Sequence, residues 1–150
     1  MFASDWKAAG YVYARLSQDG LVGDQKIYIR EYVPLVKLGD SIGGCPISKE
    51  FRCFVYKGVV ISAGFYWQAF KDDVLAQGGT IPDTTEIPWK FMDEVLDRIG
   101  HQVPFVVVDV AQGADGRWWV IELNDGQQSG LSANDPRKLY ANLKYCLEKE

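Results

Sequence analysis

The residues with the clearest chemical potential are two carboxylates and an amide in two apolar segments. Glu122 and Asn124 lie in WWVIELNDGQ at 118–127, and Asp109 interrupts the apolar run VPFVVVDVA at 103–111. A carboxylate in so apolar a strand costs several kcal/mol if it is dry and unpaired. These side chains therefore need partners, and oxygen atoms of their kind are the ligands that Mg²⁺ takes in proteins.

The turn between the two segments predicts how these side chains meet. Asp115 and Gly116 are a strong signal for the centre of a two-residue hairpin turn. Counting back along both strands then places Asp109 directly opposite Glu122, with Asn124 on the same face because side chains alternate. Opposed carboxylates repel each other unless they share a proton or hold a cation.

The sequence thus predicts a magnesium site, since no Cys or His lies nearby to indicate zinc. The alternative is an exposed edge where the hairpin meets solvent. The opposite face of the hairpin would be wholly apolar and is expected to be core; it would carry Val106, Val108, Val110, Trp119, Ile121 and Leu123.

The remaining segments predict an α+β fold with a mostly antiparallel sheet packed with helices. Helices are expected at 4–17 with Ser4 as the cap, from Pro88 to Gly100, and from Asp135 onward. Strands are expected at 26–35 and in a hairpin over 50–67 that turns at Lys57-Gly58, while 37–49 and 71–87 are expected to be loops. His101, the single histidine, is expected to play a structural role at a helix end.

Composition limits the function classes. The chain has 150 residues, which suits one domain spanning 1–150, and it is 47% hydrophobic with a net charge of −4. The negative charge and the lack of a basic run argue against a nucleic-acid partner. No apolar stretch is long enough to span a bilayer, and the N-terminus lacks a signal-peptide pattern. The three cysteines are odd in number and dispersed, so we expect reduced thiols and a cytoplasmic protein.

The spacing of Asp109 from Glu122-x-Asn124 resembles the metal site of the ATP-grasp family. The resemblance implies that Asp109, Glu122 and Asn124 hold Mg²⁺ against the phosphates of ATP and act in catalysis. The ending ELNDGQQSGL most resembles an ATP-grasp subgroup found as uncharacterised bacterial and phage proteins.

Two upstream segments extend the resemblance, which covers about residues 26–145. IREYV at 29–33 resembles the family's hinge strand, and the resemblance implies that Glu31, Tyr32 and Val33 bind the nucleotide. KEFRCFVYKGVV resembles a family strand with an acid and an arginine two residues apart. Glu50 and Arg52 match these two positions, and the resemblance gives Arg52 a catalytic contact with phosphate.

The resemblance also sets expectations about the reaction. In the family, ATP phosphorylates a carboxylate and an amine attacks the acyl phosphate, which leaves the particular acid and amine open. The chain starts about 25 residues before the hinge segment, so we expect a fold truncated at the N-terminal lobe, with a second copy or a partner chain supplying the missing surface. The alternatives are a non-catalytic nucleotide-binding or interaction module, a shortened remnant of the family, and a site for a structural cation alone.

Overall fold

The computed structural model describes residues 3–21, 23–99 and 102–149 and divides the chain into two compact units, 1–33 and 34–150. In the first unit, helix α1 spans Trp6–Ser17, and the Asp5 side chain accepts hydrogen bonds from the Lys7 and Ala8 amides. Asp5 is therefore the cap, and the prediction of Ser4 was wrong by one residue. The strand predicted over 26–35 is also wrong: residues 24–34 contain no strand, and Leu35 makes only an isolated bridge.

The second unit is built on a four-stranded antiparallel sheet in the order β4-β3-β5-β6, with a separate two-stranded sheet of β1 and β2. Three helices and two short 3₁₀ turns, Gln68–Phe70 and Thr84–Glu86, complete the unit. The helices and strands are β1 Lys37–Asp40, β2 Pro46–Ser48, β3 Glu50–Tyr56, β4 Val59–Phe65, α2 Lys71–Ala76, α3 Trp89–Ile99, β5 Phe105–Gln112, β6 Trp118–Asp125 and α4 Pro136–Leu147.

Local sequence signals explain several of these elements. The β3–β4 hairpin turns at Lys57 and Gly58, as predicted, and both have positive φ, 46° and 79°. Helix α4 begins at Asp135, whose side chain caps two backbone amides. Two expected loops contain regular structure instead, because 37–49 forms β1 and β2 and 71–87 includes α2. Gly100 and His101 lie outside the described residues.

Each face of the large sheet packs against a helix. On one face, α3 places Met92 and Val95 against β3 and β5. On the other face, Leu139 of α4 packs with Phe54, Ile61 and Val107. None of the helices in the described ranges combines the length and the apolar character needed to cross a membrane.

The β5–β6 hairpin has the predicted pairing at Asp109 but reaches it by a different route. Gly113 donates its amide to the Arg117 carbonyl at 2.7 Å, so the turn holds three residues, Ala114–Gly116, instead of two. The register then shifts between Asp109 and Val110, which leaves one extra residue on β6, as in a β-bulge. The longer turn and the bulge cancel, and Asp109 pairs with Glu122.

The bulge also changes which aromatic side chain faces the core. One extra residue reverses the side-chain alternation between the bulge and the turn. Trp118, not Trp119, consequently packs against Phe51 and Phe91. The apolar face was predicted correctly for Val106, Val108 and Val110, but it was wrong for Trp119 and for Leu123, which is 47% exposed.

Candidate functional site

A row of three charged side chains crosses the sheet from β3 through β5 to β6. Arg52 is the register partner of Asp109, and Asp109 is the register partner of Glu122. Residues that pair directly across antiparallel strands project from the same face, so these side chains are neighbours. Asn124 lies one row along, opposite Val107, on that same face. The sheet therefore brings together all four residues predicted to hold metal or phosphate.

Asp109 is neutralised by Arg52. The guanidinium donates from Nε to Oδ1 at 2.9 Å and from Nη2 to Oδ2 at 2.7 Å, so it engages both carboxylate oxygens. Asp109 is 0% exposed and Arg52 is 8% exposed. Charge-assisted bidentate pairs are the strongest ordinary side-chain interactions, and the bond to Asp109 raises the pKa of Arg52 against the opposing effect of burial.

Two further contacts fix the guanidinium of Arg52. Nη1 donates to the carbonyl oxygen of Gly130 at 3.0 Å. The guanidinium also lies over the ring of Tyr66, 4.8 Å from its centroid, which is a favourable cation–π distance. Burial is the main cause that raises the pKa of Tyr66.

The loop that supplies Gly130 is fastened to the sheet by Asn134. This buried side chain donates from Nδ2 to the backbone carbonyl of Arg52 at 3.2 Å and accepts a hydrogen bond from the Ser62 hydroxyl. Gly64 allows the close approach, since a Cβ there would lie 2.7 Å from backbone atoms of Ala133 and Asn134. The segment between β6 and α4 is thus held against the strand that carries Arg52.

Glu122 and Asn124 form the accessible side of the row, because Glu122 is exposed and Asn124 is partly buried. Within the described ranges, no group of three or more His, Cys, Asp or Glu side chains could hold a metal ion. The row instead combines two carboxylates with one amide, an all-oxygen donor set that suits Mg²⁺ when water and phosphate complete its shell. The donor chemistry fits, although Arg52 occupies both oxygens of Asp109.

Glu50 lies on β3, two residues before Arg52, in a polar cluster of its own. Its Oε2 accepts a hydrogen bond from the Ser48 hydroxyl at 2.8 Å and one from Trp67 Nε1 at 3.2 Å. The residue is 6% exposed, and burial raises the pKa of its carboxyl group above the ordinary value.

The three residues predicted from the hinge resemblance belong to the first unit. Glu31 and Tyr32 are exposed and Val33 is partly buried, and none of the three lies in a strand. The row on the sheet is therefore built without them.

The comparisons with known proteins address this combination of sheet and acidic row. A family model described as an ATP-grasp domain, the third family of its clade, matches residues 3–143. The chain belongs to this ATP-grasp family. No curated protein and no solved structure matches it.

Membership confirms two predictions. The ATP-grasp resemblance inferred from Asp109 and Glu122-x-Asn124 is confirmed, and so is the α+β fold with antiparallel sheets. At the level of the family, membership supports ATP binding by this domain.

Sequence reasoning did not identify the groups that position Arg52. Tyr66 was interpreted as a packing residue, and Gly130 and Asn134 were not singled out. Tyr66 carried a usable signal, because pairing across the predicted β3–β4 hairpin brings the end of β4 to the start of β3, where the Tyr66 amide donates to the Glu50 carbonyl at 2.9 Å. Gly130 and Asn134 carried none, since their contacts with Arg52 span 78 and 82 residues of chain.

Proposed function

We propose that this ATP-grasp domain binds Mg²⁺–ATP over the charged row, with the metal held by Asp109, Glu122 and Asn124. The observation that carries the proposal is the direct cross-strand register of Asp109 with Glu122 in a chain that belongs to an ATP-grasp family. Two carboxylates and an amide in neighbouring rows supply the hard oxygen donors that Mg²⁺ requires. Bound Mg²⁺ would neutralise charge on the phosphates during transfer.

The proposed reaction is that of a carboxylate–amine ligase. ATP donates its γ-phosphoryl group to a carboxylate, releasing ADP, and an amine then displaces phosphate from the acyl phosphate to form an amide. Arg52 would steady the phosphates, since a planar guanidinium matches phosphate geometry. By the family resemblance, Glu31, Tyr32, Val33 and Glu50 would contact the nucleotide. We further propose that a second copy or a partner chain covers the bound phosphates.

Glu122 is the best position at which to test this proposal. It is exposed, so Glu122→Gln should leave folding intact, whereas substitution of the buried Asp109 removes a partner of Arg52. We expect Glu122→Gln to abolish Mg²⁺-dependent ATP turnover and to weaken Mg²⁺–ATP binding measured by calorimetry. Asp115→Asn is the matched control, because Asp115 is an exposed acid in the turn of the same hairpin. Equal turnover and equal binding in wild type and Glu122→Gln would reject the assigned metal site.

The second candidate is a nucleotide-binding module without catalysis. The engagement of both Asp109 oxygens by Arg52 favours it, because this pairing opposes metal loading at Asp109. The two candidates differ in calorimetry and turnover assays performed with ATP, ADP and Mg²⁺ separately and together. Binding of ATP without hydrolysis supports the module, and metal binding without nucleotide binding supports a structural cation site.

A further inference from the structure

The side chain of Asp109 has two competing uses. In the structure, both of its oxygens accept hydrogen bonds from the same edge of Arg52, Nε and Nη2. In the proposed function, the same carboxylate is a metal ligand. A divalent cation at Asp109 would place two positive groups against one buried carboxylate, and like charges at such short range repel strongly where water is excluded.

Burial sharpens this conflict. Asp109 is fully buried and Arg52 is 8% exposed, so the pair has little access to solvent that could screen a third charge. Glu122, the next side chain in the row, is exposed and is approachable first. A cation arriving from solvent would therefore meet Glu122 before it reached Asp109.

Arg52 has contacts that do not depend on Asp109. Nη1 donates to the Gly130 carbonyl, and the guanidinium stacks on Tyr66. These contacts can keep the arginine beside the row after its bond to Asp109 is broken, so its release would not require unfolding of β3.

From these contacts we infer that Arg52 is the resting counter-ion of Asp109 and competes with a divalent cation for its carboxylate. Arg52 releases Asp109 when the metal binds, and its hydrogen bonds to Asp109 thereby set the metal affinity of the row. This inference rests on the proposed function, because it requires Asp109 and Glu122 to share a metal.

A lysine substitution separates this competition from a general effect of positive charge. Arg52→Lys keeps the charge but cannot donate through a planar pair of N–H groups. Arg52→Gln removes both the charge and the paired donors. If only charge opposes the metal, the lysine variant binds it as weakly as wild type does.

The experiment measures binding of Mn²⁺, without nucleotide, to the full chain by electron paramagnetic resonance of free Mn²⁺. We expect Arg52→Lys to bind Mn²⁺ several-fold more tightly than wild type, and Arg52→Gln about tenfold more tightly, which corresponds to about 1.4 kcal/mol. Arg117→Gln is the matched control, since Arg117 is an exposed arginine paired with Asp115 in the same hairpin, and it should bind as wild type does. Equal affinities of wild type and Arg52→Lys overturn the competition.

A measurement on wild type guards against misfolding of the variants. The Nε–H proton of Arg52, identified by its absence from the spectrum of Arg52→Lys or Arg52→Gln, is followed by NMR during titration with Mg²⁺. We expect its signal to shift and its exchange with water to accelerate as the metal binds. An unchanged signal at saturating Mg²⁺, with saturation monitored at the Asn124 side-chain amide, overturns the inference.

The two hypotheses fail in distinguishable ways. If wild type binds Mn²⁺, Glu122→Gln loses that binding and the Arg52 variants gain nothing, the competition is rejected and the proposed metal site stands. If neither wild type nor any Arg52 variant binds Mn²⁺ or Mg²⁺, with or without ATP, both are rejected.

Discussion

The interaction between Arg52 and Asp109 predicts a large coupling energy. Its two hydrogen bonds are 2.9 and 2.7 Å long, and the side chains are 9% and 1% exposed. Removing one partner from a buried ion pair leaves an uncompensated charge, which typically costs about 3–5 kcal/mol. Arg52→Gln and Asp109→Asn should each lower the free energy of unfolding by about that amount.

The double variant should be far less damaged than the sum of the two single variants. It buries two neutral amides that can hydrogen-bond to each other and leaves no charge unpaired. Urea unfolding at pH 7 with a chelator present would measure all four corners of the double-mutant cycle. We expect a coupling energy above about 1.5 kcal/mol.

An exposed pair in the same chain provides the control for this cycle. The side chains of Arg117 and Asp115 form a 2.6 Å ion pair but are 72% and 43% exposed, so their coupling should be only about 0.2–1 kcal/mol. Effects at Arg52 and Asp109 that are additive within about 0.5 kcal/mol would refute the reasoning from burial and geometry.

Three other substitutions test the packing around the site, each followed by chemical denaturation. Met92→Ala should lower the free energy of unfolding by about 2–5 kcal/mol because Met92 is 0% exposed, whereas Leu75→Ala, at a site 53% exposed, should change it by no more than about 0.5 kcal/mol. Gly64→Ala should cost about 1–3 kcal/mol, because its Cβ would lie 2.7 Å from the backbone of Ala133 and Asn134; Gly130→Ala, whose nearest contact would be at 3.8 Å, should change stability by less than about 1 kcal/mol, and equal losses would contradict the packing argument. Burial raises the pKa of Glu50 above 4.5, so the folded state binds this proton more tightly than the unfolded state does and loses stability as the pH rises through that window. Glu50→Gln should consequently gain stability relative to wild type on going from about pH 4 to pH 7, and a constant difference between the two proteins would contradict the shift.

The sequence predicted the hairpin that carries Asp109 and Glu122 because its information is local. Apolar strands flanking Asp115-Gly116 predict both the hairpin and its approximate register. The register at Asp109 was nevertheless correct through two cancelling differences, a three-residue turn at Ala114–Gly116 and the extra residue on β6. Nothing in the composition of β6 marks a bulge, so the exchange of Trp118 for Trp119 in the core could not be foreseen.

The segments that were predicted wrongly lack such local information. Residues 26–33 are rich in β-branched and aromatic side chains, yet a strand needs a partner with which to pair, and propensity does not supply one. The opposite error occurred at 37–49, where glycine and proline suggested a loop. Val36 and Lys49 there exchange backbone hydrogen bonds with Gln112, an interaction across more than 60 residues that no local pattern shows.

The same distinction explains why the acids suggested a metal before an arginine. Asp109 and Glu122 are joined by a short hairpin, so their repulsion can be inferred from the sequence, whereas Arg52 approaches Asp109 from 57 residues away. With Arg52 in place, the row Arg52, Asp109 and Glu122 carries one net negative charge instead of two, and Asp109 can be buried without a cation. The acidic pair alone therefore does not require a metal for folding. A divalent ion at this row would have to be stabilised by what it adds, namely the phosphates it brings and the exposed carboxylate of Glu122, since the buried carboxylate is already satisfied.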